Sequence, residues 1–67
     1  MHPNTERLLR YFAYKHLPTH LQMVSRPFCE LAEEVAESLA GPEVTVCLRK
    51  LLEAKDCAVR AALTTGD

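Results

Sequence analysis

The chain has 67 residues, 48% of them apolar, and its formal net charge is −1. A chain of this length holds one domain and buries only about 60% of the surface that its unfolded form exposes, so oligomerisation is an expected source of extra core. The first ten residues lack the apolar run of a signal peptide, and no stretch approaches the ~18 apolar residues of a membrane span. We therefore expect a soluble, cytoplasmic protein without a membrane partner.

The first predicted helix covers residues 5–15. Asn4 precedes it as a good N-cap candidate. Leu8 and Phe12 are four residues apart, which places them on one face of a helix. Pro18 disfavours helical geometry at the residue before it and so ends this segment.

The second predicted helix covers residues 18–40, with Pro18 in its first turn. Pro27 interrupts the hydrogen bonding of this helix, and the pattern favours a kink because the apolar spacing stays in register across it. The alternative is a break, with Ser25 capping a fresh helix. The apolar stripe recurs at spacings of three and four and consists of Leu21, Val24, Phe28, Leu31, Val35 and Leu39.

The third predicted helix covers residues 43–63 and follows a glycine–proline stop and start at Gly41 and Pro42. So short a connection makes the second and third helices antiparallel neighbours. The apolar positions of the third helix occupy more than one face, which indicates a subunit interface. The sequence therefore predicts an all-α domain over residues 1–67: a short N-terminal helix, then an antiparallel hairpin with a proline-kinked first helix, assembling as a homo-oligomer.

The chain lacks the patterns of a catalytic or metal site. Its only glycines are Gly41 and Gly66, so it has no glycine-rich phosphate loop. His16 and His20 have the spacing of two helical metal ligands, but a proline lies between them. We expect no enzyme activity, no metal and no cofactor. The cysteines lack CxxC spacing and are interpreted as small buried residues of a reducing cytoplasm: Cys29, Cys47 and Cys57.

Charge and aromatic residues together indicate a small anionic ligand. Residues 1–26 carry a net charge of +3, residues 27–43 carry −5, and residues 44–67 carry +1. A binder of duplex DNA would show a larger basic excess. A nucleotide could stack on a tyrosine and be held by a bidentate arginine. The candidate residues are Tyr11, Tyr14, Lys15 and Arg26; the alternative is that the tyrosines pack helix 1 while Arg26 is solvated.

A polar stripe on the third helix has two interpretations. Arg49, Glu53, Asp56 and Arg60 share one face, and two opposite-charge pairs lie four residues apart, Arg49 with Glu53 and Asp56 with Arg60. The stripe is either a solvated face or a polar line at an oligomer axis. In the second case, one Arg60 from each subunit could converge on a shared anion.

Two segments resemble the phage anti-CBASS sponge family, whose hairpin domain is shared with the Thoeris anti-defence sponges. They are YFAYKHLPTHLQMVSRPFCELA and LRKLLEAKDCAVRAAL, and the resemblance covers roughly residues 8–63. Its most specific part is the pattern K-L-x-E-A-x-x-x-A-x-(K/R)-A in the second hairpin helix. The pattern is carried here by Lys50, Leu51, Glu53, Ala54, Ala58, Arg60 and Ala61. The chain departs from many members at Cys57 and Val59, where those carry Trp and Asn.

The resemblance implies a phage protein in the cytoplasm of an infected bacterium. Such proteins sequester the cyclic oligonucleotide signals of CBASS immunity without cleaving them. They are homohexamers that hold cyclic dinucleotides in pockets between subunits, and some bind cyclic trinucleotides at separate sites on the threefold axis. Carried over to this chain, the base-stacking residue is Tyr11 and the phosphate-binding residue is Arg26. Tyr14, Lys15 and Arg60 are further candidate ligand residues from the charge and aromatic pattern and the polar stripe described above.

Two other functions fit the sequence. The first is a small helical oligomer that serves as an adaptor or structural protein. The second is a nucleic-acid-binding regulator with a helix-turn-helix. The acidic run from Glu30 to Glu43 argues against the second, because a recognition helix should be basic.

Overall fold

The computed structural model describes residues 1–64, and the regular structure within that range is entirely helical. Helix α1 spans Pro3–Arg10, α2 spans Thr19–Ser38 and α3 spans Pro42–Thr64. Helices α2 and α3 form the hairpin, and α1 packs against both. The predicted all-α hairpin is therefore confirmed. Residues 65–67 of the predicted domain lie outside the described range, and homo-oligomerisation stays a prediction.

The start of α1 differs from the prediction. The helix begins at Pro3 instead of residue 5, and its N-cap is His2 rather than Asn4. The Nδ1 atom of His2 accepts a hydrogen bond of 3.1 Å from the backbone N–H of Asn4. The His2 imidazole therefore caps the helix, which is the role that the prediction gave to the Asn4 side chain two residues later. A helix start needs such an acceptor for its first free N–H groups.

The end of α1 also differs from the prediction, which placed it at residue 15. The helix stops at Arg10, so Tyr11, Tyr14 and Lys15 lie on the connection to α2 instead of on a helix. The N–H groups of residues 11–13 donate to carbonyls three residues earlier, which is the tighter geometry of a 3₁₀ turn. The prediction was wrong here because the apolar spacing of the first segment continues into this turn.

Gln22 of α2 holds the connection in place. Its side-chain N–H donates to the carbonyl of Leu17 at 2.8 Å and to that of Lys15 at 3.3 Å. The N–H of Leu17 donates in turn to the Tyr14 carbonyl. The connection thus has its own hydrogen bonds, and it delivers Phe12 into the core, where it is fully buried.

Helix α2 runs without a break through Pro27, so the alternative of a fresh helix capped by Ser25 is wrong. Its buried face coincides with the predicted apolar stripe only at Leu21, although Phe28 and Val35 of the stripe pack against the edge of the core. The buried residues are Leu21, Ser25, Cys29 and Ala32, whereas Val24, Phe28 and Val35 are half-buried and Leu31 and Leu39 are exposed. Most of these buried residues are small, which lets the backbones of α2 and α3 approach closely. The larger apolar side chains flank that line of contact.

The hairpin turn depends on Gly41. This residue has a φ of +108°, and a residue with a Cβ atom rarely adopts such a backbone conformation. The N–H of Leu39 donates to the Val35 carbonyl at the end of α2, and the N–H of Val44 donates to the Gly41 carbonyl at the start of α3. The glycine–proline signal is therefore confirmed as the point where the chain reverses.

The core is small and lies at the meeting of the helices. Within residues 1–64 its buried apolar members are Phe12, Leu21, Cys29, Ala32, Val44 and Leu48. Helix α1 lies on the side of the hairpin that carries Ala36, Thr45 and Val59. At 100° per residue, the opposite side carries Val24, Phe28, Leu31 and Val35 of α2 and Cys47, Leu51, Ala54 and Ala58 of α3. We call these eight residues the open face.

The cysteines do not share one environment. Cys29 is buried as predicted, whereas Cys47 and Cys57 are exposed on α3, contrary to the prediction. Burial raises the pKa of Cys29 from 9.0 to about 11. The second largest cause is the hydrogen bond that the thiol donates to Glu33 at 3.3 Å. Burial disfavours the thiolate because the charged form loses its water.

The core assignment predicts different costs for two leucines of α3. Leu48 is fully buried and Leu63 is 61% exposed. Leu48→Ala should lower the free energy of unfolding by about 2–5 kcal/mol, because it removes buried methyl groups and leaves a cavity. Leu63→Ala, the control, should change it by less than about 0.5 kcal/mol. Urea unfolding followed by circular dichroism measures both, and equal costs would contradict this core.

Cysteine alkylation tests the environment of Cys29. At pH 8 a pKa of about 11 leaves about a hundredfold less thiolate than the ordinary value of 9.0. Because the thiolate is the nucleophile, iodoacetamide should modify Cys47 and Cys57 rapidly and Cys29 only after unfolding in urea. Peptide mass spectrometry over time separates the sites. Modification of Cys29 as fast as Cys47 in the folded protein would show that its thiol is not buried.

Candidate functional site

A groove lies where the α1–α2 connection meets the C-terminal half of α3. We call it the cation groove, and its volume is about 410 Å³. The connection begins directly after Arg10, the last residue of α1, and runs alongside α3, so its side chains and those of α3 line the same groove. The lining residues are Arg10, Tyr11, Ala13, His16 and Leu17 from the N-terminal part and Lys55, Asp56, Val59 and Arg60 from α3.

The cation groove combines a tyrosine with several cations. Tyr11 is 60% exposed, so its ring is not a core residue and is accessible to a ligand. The cationic side chains of Arg10, Lys55 and Arg60 line the same groove, and Asp56 is the single carboxylate among the lining residues. An aromatic face beside an excess of cations suits a ligand with a flat base and a phosphate.

Lys55 and Asp56 form an ion pair within the groove. The Lys55 ammonium lies 3.0 Å from an oxygen of Asp56, and the Lys55 side chain is only 14% exposed. Removing a cation from water is costly, and Asp56 offsets part of that cost. The pair therefore holds the Lys55 ammonium at the groove wall, where an incoming anion would compete with Asp56 for it.

Arg60 also lies in this groove, and the predicted charge pairs of its stripe are replaced by others. Asp56 pairs with Lys55 instead of Arg60, and Glu53 pairs with Lys50 at 3.8 Å instead of Arg49. An N–H of the Arg60 guanidinium donates to the sulfur of Cys57 at 3.4 Å. Within residues 1–64 this guanidinium has no carboxylate partner, so its charge remains available for a ligand.

Arg26 lies outside the cation groove. Its Nε atom donates to a carboxylate oxygen of Glu30 at 2.6 Å, and both side chains are largely exposed. The hydrogen bond and the charge of Glu30 raise the pKa of Arg26, and Tyr14 adds a smaller contribution of the same sign. Arg26 therefore interacts with Glu30 and Tyr14 and is not among the residues that line the groove with Tyr11.

The other candidate residues have different surroundings. Tyr14 is half-buried against the core cluster, as the packing interpretation expected. Lys15 is exposed on the connection, and its charge slightly opposes the raised pKa of Cys29. The sequence interpretation missed Arg10 and Lys55. Only the packing of the connection against α3 brings these two to Tyr11, and no local pattern signals it.

The acidic residues are concentrated elsewhere. Glu30, Glu33, Glu34 and Glu37 are exposed on α2, away from the lining of the cation groove. Residues 1–64 contain no group of three His, Cys, Asp or Glu side chains that could hold a metal ion. None of the helices of that same range is long and apolar enough to cross a membrane.

Comparisons with family models, with curated proteins and with solved structures gave no match to this chain. The resemblance to the sponge family therefore stays a hypothesis that depends on the quoted residues alone. What the fold itself contributes is the cation groove, in which Tyr11, Arg10, Lys55 and Arg60 meet.

Proposed function

We propose that this protein binds and sequesters cyclic dinucleotide immune signals without cleaving them, as an anti-CBASS sponge of a phage. The observation that carries the proposal is the position of an exposed tyrosine in a groove with three cationic side chains. Stacking on Tyr11 would hold a base, and Arg10, Lys55 and Arg60 would hold a phosphate. The resemblance supports the cyclic nature of the ligand, and the groove supports its chemical class.

The composition of the groove supports a ligand shared between two subunits. A cyclic dinucleotide has two bases and two phosphates, whereas the cation groove of one chain offers a single tyrosine. Two grooves related by a twofold axis would match such a ligand, because a closed symmetric pair presents the same residues to each half. In this arrangement Arg26 from a second copy of the chain could approach the ligand, which would reconcile its predicted role with its position outside the groove that Tyr11 lines.

The open face supplies a surface for the proposed homo-oligomer, which the resemblance makes a hexamer. Its apolar side chains are wholly or partly exposed in the single chain, and the chain itself has a small core. Burial of such a surface in a neighbouring subunit contributes about 25 cal/mol for each Å² removed from water. A cyclic trinucleotide site on a threefold axis, with Arg60 as a candidate ligand, belongs to the same proposal.

Substitutions in the cation groove test the proposed ligand. Tyr11→Ala and Arg60→Ala should each weaken cyclic dinucleotide binding by about tenfold to a hundredfold, because they remove a stacked ring and a charge-assisted hydrogen bond. Asp56→Asn should strengthen binding several-fold, since it removes the carboxylate that competes for Lys55. Calorimetric titration at two salt concentrations measures all three, and only Arg60→Ala should flatten the salt dependence.

Arg49→Ala is the matched control for Arg60→Ala, because Arg49 is an exposed arginine of the same helix that does not line the groove. It should bind as the wild type does. A linear dinucleotide controls for the cyclic form, and chromatography of the released ligand should recover it unchanged. Wild-type affinity in both Tyr11→Ala and Arg60→Ala would place the ligand elsewhere, and no binding at all by the wild type would favour the adaptor function.

Charge on the open face tests the assembly. Leu31→Glu places a carboxylate on that face, so it should shift the sedimentation coefficient towards that of a 7.5 kDa monomer. Met23→Glu is the control, because Met23 is an exposed apolar residue of the same helix that lies outside the open face. Sedimentation velocity at micromolar concentration measures both variants. A wild-type protein that is monomeric at every concentration would contradict the shared pocket as well.

A further inference from the structure

The Lys55–Asp56 ion pair puts a carboxylate into a groove that is proposed to hold phosphates. Asp56 lines the cation groove, and its side chain is 47% exposed, so a ligand in the groove can reach it. A carboxylate repels a phosphate and therefore weakens the binding of that part of the ligand. Its place in the groove is better explained by another part of the ligand, one that donates hydrogen bonds.

Lys55 holds its ammonium group in place beside this carboxylate. It lies about two helical turns after the fully buried Leu48, so its stem starts on the side of α3 that faces the core. The side chain is only 14% exposed, and its ammonium reaches the groove, 3.0 Å from Asp56 Oδ1. A lysine with a packed stem and a polar head group at the surface has less freedom to leave its partner.

The pair presents a hydrogen-bond donor next to two acceptors. The Lys55 ammonium carries three N–H donors, and the two oxygens of the Asp56 carboxylate offer about four lone-pair sites. A single ion-pair contact between them leaves further donors and lone pairs for a ligand. In order of distance from the ammonium, the pair therefore offers an N–H donor, the acceptor Oδ1 and the acceptor Oδ2.

Guanine is the base that complements this order. Its Watson–Crick edge presents an acceptor, O6, followed by two donors, N1–H and N2–H. The ammonium matches O6, and the carboxylate matches the two N–H groups through a pair of charge-assisted hydrogen bonds. Adenine presents a donor, N6–H, followed by an acceptor, N1, so each of its groups would face one of the same kind.

We infer that the Lys55–Asp56 pair recognises the Watson–Crick edge of a guanine stacked on Tyr11, so that the cation groove selects cyclic dinucleotides that contain guanine. The inference rests on the proposed function and adds the identity of the base to it. Tyr11 lies on the connection and the pair lies on α3, so the face and the edge of the base meet different walls of one groove. Arg10 and Arg60 line the same groove and remain for the phosphates.

Calorimetric titration with three cyclic dinucleotides of the same linkage tests this inference. Cyclic diguanylate should bind the wild type at least about tenfold more tightly than cyclic diadenylate, because a good bidentate contact discriminates between bases by about tenfold to a hundredfold. Cyclic di-inosinate keeps O6 and N1–H but lacks the N2 amino group, so its affinity should lie between the other two. Any other order of the three affinities would overturn the inference.

Asp56→Asn should lower the ratio of the guanine affinity to the adenine affinity to less than about threefold. Asparagine replaces one carboxylate oxygen with an NH₂ donor, which opposes the N–H groups of guanine and suits adenine instead. The gain from a freed Lys55 is common to both ligands, so it cancels in this ratio. A ratio that stays at the wild-type value would refute the role of Asp56.

Glu53→Gln is the matched control for Asp56→Asn. Glu53 is an exposed carboxylate of the same helix that pairs with Lys50 and does not line the groove. Its substitution should leave the ratio unchanged. An equal fall of the ratio in this control would attribute the effect to net charge instead of base recognition, and it would contradict the inference.

Lys55→Met tests the donor of the pair, because it keeps an unbranched apolar stem and removes the ammonium. The ratio of guanine to adenine affinity should fall here too, since O6 loses its donor. An unchanged ratio would show that the pair does not act as a unit. If this variant does not fold, the three ligands and Asp56→Asn decide.

The result for the base is distinguishable from the result for the proposed function. If cyclic diguanylate and cyclic diadenylate bind equally well and Tyr11→Ala weakens both, the proposed function stands and guanine recognition is wrong. If none of the three cyclic dinucleotides binds, the proposed function is wrong and the inference fails with it. The same set of titrations separates the two cases.

Discussion

An eight-residue helix cannot cover a hairpin whose second helix has 23 residues. At 1.5 Å per residue α1 is about 12 Å long and α3 about 35 Å long, so α1 reaches only about a third of its neighbour. The cation groove follows from this difference in length, because it lies where the C-terminal end of α1 leaves the hairpin uncovered. The open face has a separate cause, because α1 lies on only one side of the hairpin. The candidate site and the proposed subunit contact therefore both depend on the surface that α1 leaves uncovered.

The hairpin could be predicted from the sequence because its signals are local. Gly41 and Pro42 fix the turn through backbone geometry alone, and the apolar spacing of α2 stays in register across Pro27. The end of α1 could not be predicted in this way. There the chain turns because Phe12 is buried in the core and Gln22 bonds to the connection, and both are tertiary interactions.

The buried side of α2 shows a second limit of the sequence pattern. Spacings of three and four identify an apolar stripe, but they do not identify which edge of it meets the neighbouring helix. In the structure the contact line runs through Ser25, Cys29 and Ala32, next to the predicted stripe. Small side chains occupy that position because they let the two helix backbones approach, and the larger Leu31 lies on the open face.

The candidate site also depends on tertiary packing. The sequence identifies Tyr11 and Arg60 by separate patterns, and only the packing of the connection on α3 brings them together with Lys55.

The distribution of charge bears on which anion the cation groove can take. A long polyanion needs cations along an extended track, because its affinity grows with the number of phosphates that it contacts. Here the groove cations are confined to a space of about 410 Å³, and the exposed face of α2 carries Glu30, Glu33, Glu34 and Glu37. A polymer that reached beyond the groove towards these carboxylates would be repelled by them, whereas the proposed cyclic dinucleotide has only two phosphates and would be shared between two such grooves. Under the proposed function, the acidic residues of α2 would therefore disfavour a long polyanion more than a compact, doubly charged ligand.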